Sequence, residues 1–108
     1  MNRDELILQI KEKLEDIIND LKVKRDINLL ILFGSYARGN YSDNSDIDLA
    51  ILFKENNFNK NYGLNMRIEL SNTFSSSLKK ECDIILINQS PPLLKLIFKK
   101  SIDYLNVF

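Results

Sequence analysis

The feature that most constrains the fold of this chain is a set of three short apolar runs. They read INLLILF (27–33), DIDLAILF (46–53) and CDIILIN (82–88). The runs are shorter than an ordinary core helix, and polar, charged or glycine residues bound them, so each one predicts a buried β-strand. A chain of 108 residues, 44% of them hydrophobic, can bury one core of this kind without a disulfide or a structural metal.

Apolar residues at helical spacing predict three helices around these strands. From Asp4 to Lys22, apolar residues recur mostly three or four positions apart, with charged residues between them. A second helix is predicted from about Leu64 to Leu78, although its serine-rich second half lowers the helix propensity. A third is predicted from about Pro92 to Lys100, where a serine and two prolines favour a helix start.

The predicted order of elements is α-β-β-α-β-α in a single α/β domain covering residues 1–108. The sheet has three strands of mixed direction, with helices flanking it. The asparagine-rich segment KENNFNKNYG (54–63) predicts a loop. The tail IDYLNVF (102–108) is compatible with a short fourth strand at the sheet edge or with a turn.

Composition excludes several classes of function. The chain has 15 basic and 15 acidic residues, so it lacks the basic excess of most proteins that bind polymeric nucleic acid, while a single nucleotide stays compatible. It has no histidine, which excludes Ser-His-Asp triads and the common zinc sites, so any metal is expected to have oxygen ligands, as magnesium, manganese and calcium do. Cys82 is the single cysteine, and we expect it to be a small core residue. No membrane-length apolar run or signal peptide is evident, and a cytoplasmic location is expected.

The stretch FGSYARGNYSDNSDIDLA (33–50), between the first two runs, carries the candidate chemistry. Residues two apart on a strand project from the same face, so Asp46 and Asp48 form a pair of carboxylates there. Such a pair suits a magnesium ion. The alternative is two solvated acids at a strand end, and an isolated Asp-x-Asp favours that alternative.

The front of the same stretch offers groups that could hold an anion. Gly34 permits a sharp turn and close approach of a ligand, and the Ser35 hydroxyl can bond a phosphate oxygen. Arg38, one turn later, could add charge to the same phosphates or form a surface ion pair with Asp43. Tyr36 and Tyr41 are expected to pack as core or lid aromatics.

Strand direction decides whether these groups meet. If the first two strands are antiparallel neighbours, the end of the first lies beside the start of the second. If the third strand runs parallel to the second, with the helix 64–78 as the usual right-handed crossover, Asp83 joins the same edge. A solvated strand start is the alternative explanation for Asp83.

These motifs resemble the minimal nucleotidyltransferases of the DNA polymerase beta superfamily. Gly34-Ser35, a spacer of ten residues (36–45) and Asp46-Ile47-Asp48 match the family signature. The third acid of the family matches Asp83 in CDIILI, and the segment SPPLLKLIFKKSIDYL is similar to the tail of these small proteins. The resemblance therefore covers nearly the whole chain.

The resemblance implies the roles of the candidate residues. Asp46 and Asp48 would bind magnesium carried by a nucleoside triphosphate, and Gly34 and Ser35 would hold its terminal phosphates. Asp83 would complete the metal site and help to deprotonate or orient the attacking hydroxyl. The reaction would transfer a nucleoside monophosphate to that hydroxyl and release pyrophosphate.

Members of this size resemble the antitoxin half of type VII toxin–antitoxin pairs. The implied substrate is ATP, and the implied partner is a HEPN ribonuclease toxin that receives AMP on a tyrosine. Two other functions stay open: a non-catalytic module that covers the toxin, and the catalytic subunit of a transferase for a small molecule such as an antibiotic. The residues do not distinguish ATP from other triphosphates.

Overall fold

A four-stranded sheet with the order β3-β2-β1-β4 forms the centre of the protein. The computed structural model describes residues 3–21, 25–54, 59–89 and 105–106. The elements in these ranges are α1 (Arg3–Asn19), β1 (Ile27–Phe33), α2 (Gly34–Arg38), β2 (Ile47–Phe53), α3 (Lys60–Leu78), β3 (Cys82–Leu86), a 3₁₀ turn (Ile87–Gln89) and β4 (Leu105–Asn106). No helix in these ranges has both the length and the apolar content needed to cross a membrane.

The strand pairing is the mixed arrangement that the sequence predicts. β1 and β2 are antiparallel, and Phe33 at the end of β1 is the register partner of Asp48. β2 and β3 are parallel, and Asp48 is also the register partner of Asp83. The short β4 adds to the free edge of β1, which confirms that the tail contributes an edge strand. The α/β fold class is therefore confirmed.

The two faces of the sheet carry different layers. Ile47, Leu49 and Ile51 of β2 belong to the main core, which also contains buried residues of α1 and α3 such as Leu14 and Phe74. The alternate β2 residue Ala50 belongs to a second, smaller cluster with Ile31 and Ile87. Because side chains alternate along a strand, Asp48 shares the face of Ala50, opposite α1 and α3.

Several boundaries differ from the predicted ones. The structure has a five-residue helix, α2, that the predicted order lacks, because Gly34–Arg38 turns immediately after β1. The predicted loop 54–63 ends early: α3 begins at Lys60, because the Asn59 side chain accepts a hydrogen bond from the Tyr62 N–H (2.9 Å) and caps the helix. β3 ends at Leu86 and continues as the 3₁₀ turn. The predicted helix 92–100 lies outside the described residues.

The serine-rich half of α3 is helical throughout, and two of its serines bond to the neighbouring strand. The Ser71 hydroxyl donates to the Cys82 carbonyl (2.9 Å), and the Ser75 hydroxyl accepts from the Cys82 N–H (3.1 Å). Both backbone groups of the first β3 residue are therefore satisfied by one helix. This contact fixes the start of β3, the strand that carries Asp83.

Beyond β3, a side chain continues the pairing of β2. The Asn88 amide accepts from the Phe53 N–H (2.8 Å) and donates to the Phe53 carbonyl (2.9 Å). These two bonds replace the ladder bonds that a longer strand would make at the end of β2. The sheet is thereby held together at the end remote from Asp48.

Candidate active site

Gly34 and Asp48 are in direct contact where β1 ends. The backbone of Gly34 has a φ of 76°, in the left-handed region that favours glycine. A Cβ atom built on Gly34 would overlap with the Asp48 carboxylate oxygen Oδ2 and lie 3.0 Å from its Cγ. The position therefore requires glycine for two reasons, the backbone conformation and the carboxylate that fills the space of a side chain.

The three predicted acids lie at one edge of the sheet. Asp48 is half-buried, whereas Asp46 and Asp83 are exposed. The pKa of Asp48 is raised from its ordinary value, first by burial and then by the negative charges of Asp83 and Asp46. Asp46 and Asp83 are therefore each close enough to Asp48 to repel its carboxylate.

These acids have the donor chemistry of a magnesium site. They would supply only carboxylate oxygens as metal ligands. Such ligands suit Mg²⁺, whereas the common structural zinc sites use cysteine and histidine. In the described ranges, no three acidic, cysteine or histidine side chains already form the arrangement of a metal site. The three carboxylates form a repulsive group, and a cation that shared them would relieve the repulsion. Their assignment as ligands stays a prediction.

Ser35 and Arg38 lie on α2, next to this edge. Ser35 is half-buried, and its carbonyl accepts hydrogen bonds from the N–H groups of Gly39 (2.9 Å) and Asn40 (3.1 Å), which end the helix. Arg38 is exposed, and its positive charge lowers the pKa of Asp48, against the larger effects of burial and the two acids. Arg38 therefore acts electrostatically on the same edge. The phosphate roles of both residues stay predictions.

The spacer between the glycine and the acids is anchored by aromatic and polar contacts. Tyr36 is 3% exposed, and its ring stacks on Tyr41 with a centroid distance of 4.8 Å. The Lys80 ammonium donates to the Asp43 carbonyl (2.9 Å) and lies 5.8 Å from the centroid of Tyr36. The stacking agrees with the expected packing of the two tyrosines. Sequence reasoning missed Lys80, because a lysine that bonds a distant backbone carbonyl has no local signature.

Cys82 is a core residue, as the sequence predicts. Its thiol is buried, and burial raises its pKa from 9.0 to about 11. At neutral pH the thiol is therefore protonated and a poor nucleophile.

A cavity in the described part of the chain lies away from these acids. It has a volume of about 420 Å³ and lies near Asp26, just before β1 begins, with Tyr62 and Met66 of α3 in its wall. The acids lie where β1 ends, so the length of the strand separates the two places. The three acids lie at the protein surface, where Asp46 and Asp83 are exposed to solvent.

Comparison with known proteins defines the class of this chain. Residues 5–103 match the family described as polymerase beta, nucleotidyltransferase. The chain belongs to this family.

The chain is also similar to two curated proteins from Methanocaldococcus jannaschii. Both are named as candidate protein adenylyltransferases. One is 55% identical over 51 residues, which cover 47% of this chain and 50% of the relative, so this chain aligns with about half of that protein. The other is 32% identical over 100 residues, which cover 92% of this chain and 98% of the relative.

Two solved structures share the fold. A toxin–antitoxin complex with AMP-PNP contains a chain that superimposes with a TM-score of 0.67, at 23% identity, over 91% of this chain and 72% of that chain. A complex of tri-AMPylated Shewanella oneidensis HEPN toxin with MNT antitoxin gives a TM-score of 0.61, at 19% identity, over 94% of this chain and 71% of that chain. At these identities the likeness concerns the fold.

Proposed function

We propose that this chain is a magnesium-dependent nucleotidyltransferase that moves AMP from ATP to a hydroxyl group of a protein. The observation that carries the proposal is the register of the sheet. Phe33, Asp48 and Asp83 are partners across three adjacent strands, and Gly34 follows at once and touches the Asp48 carboxylate. A turn suited to a phosphate chain and a group of carboxylates suited to its metal therefore share one edge.

The residues divide the work of such a reaction. Asp46, Asp48 and Asp83 hold the magnesium ion that accompanies the triphosphate, and Gly34 and Ser35 bind its terminal phosphates. Arg38 adds positive charge on the same side. Magnesium, when bound, neutralises phosphate charge and favours departure of the leaving group. The contribution of the protein is positioning and electrostatic stabilisation.

The chemical step is a substitution at the α-phosphorus of ATP. The acceptor oxygen forms a bond to that phosphorus, and the bond from the phosphorus to the oxygen bridging the β-phosphate breaks. Pyrophosphate leaves with the electron pair of the broken bond. The hydroxyl proton passes to Asp83 or to water, since Asp83 is exposed at the edge where an acceptor can approach.

An acceptor on another protein fits the openness of this edge. Asp46 and Asp83 are exposed, so a side chain that projects from a partner can reach them. The names of the two curated relatives support a protein acceptor. The complex of an AMPylated HEPN toxin with MNT antitoxin supports a HEPN toxin as the acceptor and an antitoxin role for this chain. The assignment of a tyrosine as the modified residue of a ribonuclease toxin follows from the resemblance of the sequence to type VII antitoxins.

The test combines the purified protein with ATP, magnesium and a HEPN-family toxin, and uses mass spectrometry to search for AMP on a toxin tyrosine. We expect AMP addition with the wild-type protein and none with Asp48→Asn. Asp43→Asn is the matched control, because it removes the same charge from an exposed position in the spacer. Transfer should continue in this control.

Two outcomes would replace the proposal. If Asp48→Asn neutralised the toxin as well as the wild type does, without ATP, the protein would be a binding module. If AMP appeared on a small molecule such as an aminoglycoside and never on the toxin, the protein would be a small-molecule transferase.

A further inference from the structure

We propose that Lys80 is a positioning residue that holds the spacer loop, defined here as residues 39–45, and through it sets the place of Asp46. The inference rests on the proposed function in treating Asp46 as a metal ligand. It assigns a role to a side chain that belongs to no nucleotidyltransferase motif in the sequence.

Asp46 differs from the other two acids in how its backbone is held. Asp48 and Asp83 lie inside the sheet, where they are register partners of each other. Asp46 precedes the first residue of β2, Ile47, and is exposed. Its position therefore depends on the loop before it, because no strand ladder fixes it.

The connection between α3 and β3 holds the chain at two points, one before Asp46 and one after it. The Lys80 ammonium donates to the Asp43 carbonyl (2.9 Å), three residues before Asp46. The next residue, Glu81, accepts a hydrogen bond from the Ile47 N–H through its carbonyl (2.9 Å), one residue after Asp46. Asp46 thus lies between two attachments to adjacent residues. The one at Ile47 is a backbone bond, so the one at Asp43 is the attachment that a side-chain substitution can remove.

The loop also has internal structure that transmits this attachment. Ser42 and Ser45 close a turn around Asp43: the Ser42 N–H donates to the Ser45 hydroxyl (2.8 Å), and the Ser45 N–H donates to the Ser42 carbonyl (3.0 Å). Tyr41 stacks on Tyr36, the ring beside the Lys80 ammonium. Because the turn is closed, a hold on the Asp43 carbonyl also fixes Ser45, the residue next to Asp46.

The experiment compares Lys80→Met, Lys80→Arg and Lys13→Met in the full chain. Methionine keeps the length of the stem and removes the donor, whereas arginine keeps a charged donor. Lys13 is the matched control, because it lies in the wall of the same cavity of about 120 Å³ as Lys80 but on α1. Hydrogen exchange of residues 40–47 in the metal-free protein reports on the loop, and Mn²⁺ binding with AMP-PNP, followed by electron paramagnetic resonance, reports on the acids.

We expect Lys80→Met to speed amide exchange across residues 40–47 and to weaken Mn²⁺ binding about tenfold, because metal binding must then order a loop that the wild-type protein already holds. Lys80→Arg should keep the exchange rate of the loop and the Mn²⁺ affinity close to the wild-type values. Lys13→Met should change neither the exchange rate nor the affinity. The unfolding midpoint of each variant is measured alongside. A uniform loss of stability would speed exchange everywhere, including in β1, whereas a positioning role changes the loop alone.

Unchanged loop exchange in Lys80→Met would overturn the proposal, and so would faster exchange with undiminished Mn²⁺ affinity. If the wild-type protein itself failed to bind Mn²⁺ with AMP-PNP, the proposed function would fall. In that case the exchange of the loop in the metal-free protein still decides whether Lys80 holds it.

Discussion

Asp48 and Asp83 lie directly opposite each other on neighbouring parallel strands, on the sheet face away from α1 and α3. Two carboxylates in this relationship repel each other, and the charge of Asp83 is the second largest cause of the raised pKa of Asp48. The metal-free protein therefore carries an electrostatic cost at the place where the proposed reaction needs negative charge.

Removal of one charge from this pair is expected to reduce activity without reducing stability. Asp83→Asn relieves the repulsion, so the unfolding midpoint of the metal-free protein should stay level or rise. AMP transfer should fall more than about 100-fold, because a metal ligand and proton acceptor is lost. Thermal unfolding and a radiolabelled transfer assay measure the two effects.

The control for this variant is Glu81→Gln. It removes the same charge two residues earlier, at an exposed position before β3 begins. It should leave transfer close to the wild-type level. Equal loss of transfer in both variants would mean that overall charge matters at this edge, and the specific role of Asp83 would be wrong.

Gly34→Ala is expected to lose both stability and transfer. The added methyl group overlaps with the Asp48 carboxylate, and the φ of 76° strains any residue with a Cβ atom. The expected loss is about 1–3 kcal/mol in the free energy of unfolding, from urea denaturation. Transfer should fall further than the unfolded fraction explains, because Asp48 must move.

Gly39→Ala separates backbone strain from displacement of the acid. Gly39 has a φ of 87° and lies at the other end of α2, so it carries similar strain. It should lose stability, and its folded fraction should lose less transfer activity than the folded fraction of Gly34→Ala. If Gly34→Ala folded and transferred AMP normally, the contact between Gly34 and Asp48 would not be needed for the reaction.

Magnesium removal is expected to abolish stabilisation by ATP. With magnesium, ATP at 100 times its dissociation constant should raise the free energy of unfolding by about 2.7 kcal/mol. With a chelator, the carboxylates repel the triphosphate, so the unfolding midpoint should return to that of the ligand-free protein. Differential scanning fluorimetry of the wild type and Asp48→Asn measures this, and stabilisation by ATP in chelator would contradict the proposed metal site.

The thiol of Cys82 provides a pH-dependent observable for the metal-free fold. Its pKa in the folded protein, about 11, is above the ordinary 9.0. The thiol therefore contributes to stability fully below pH 9, and this contribution is lost as the pH rises toward 11. At about pH 8, alkylation by iodoacetamide should be roughly 100-fold slower in the folded protein than in urea, because the thiolate fraction is lower. Equal rates would show that the thiol is not buried.

Much of the fold is predictable from local sequence, because its signals are local. A short apolar run bounded by charge and glycine needs no distant partner to be recognised as a strand, and β1, β2 and β3 all lie within the predicted runs. The apolar spacing predicts the start of α3 too late. The helix begins at Lys60 because the Asn59 side chain accepts a hydrogen bond from the Tyr62 N–H, and apolar spacing does not reveal such a cap. The second half of α3 is helical although its serines lower helix propensity, and the bonds of Ser71 and Ser75 to Cys82 are tertiary contacts that the local sequence does not show.

The candidate site shows the same division between local and distant information. The sequence by itself determined which residues are acidic, where glycine and serine end the first strand, and how many residues separate them. Only the tertiary structure decided that Asp48 fills the space of the missing Gly34 side chain, that Asp83 stands opposite it, and that Lys80 holds the Asp43 carbonyl. The physical reason is that spacing along a chain limits the distance between residues, whereas strand register and backbone hydrogen bonds determine which atoms meet.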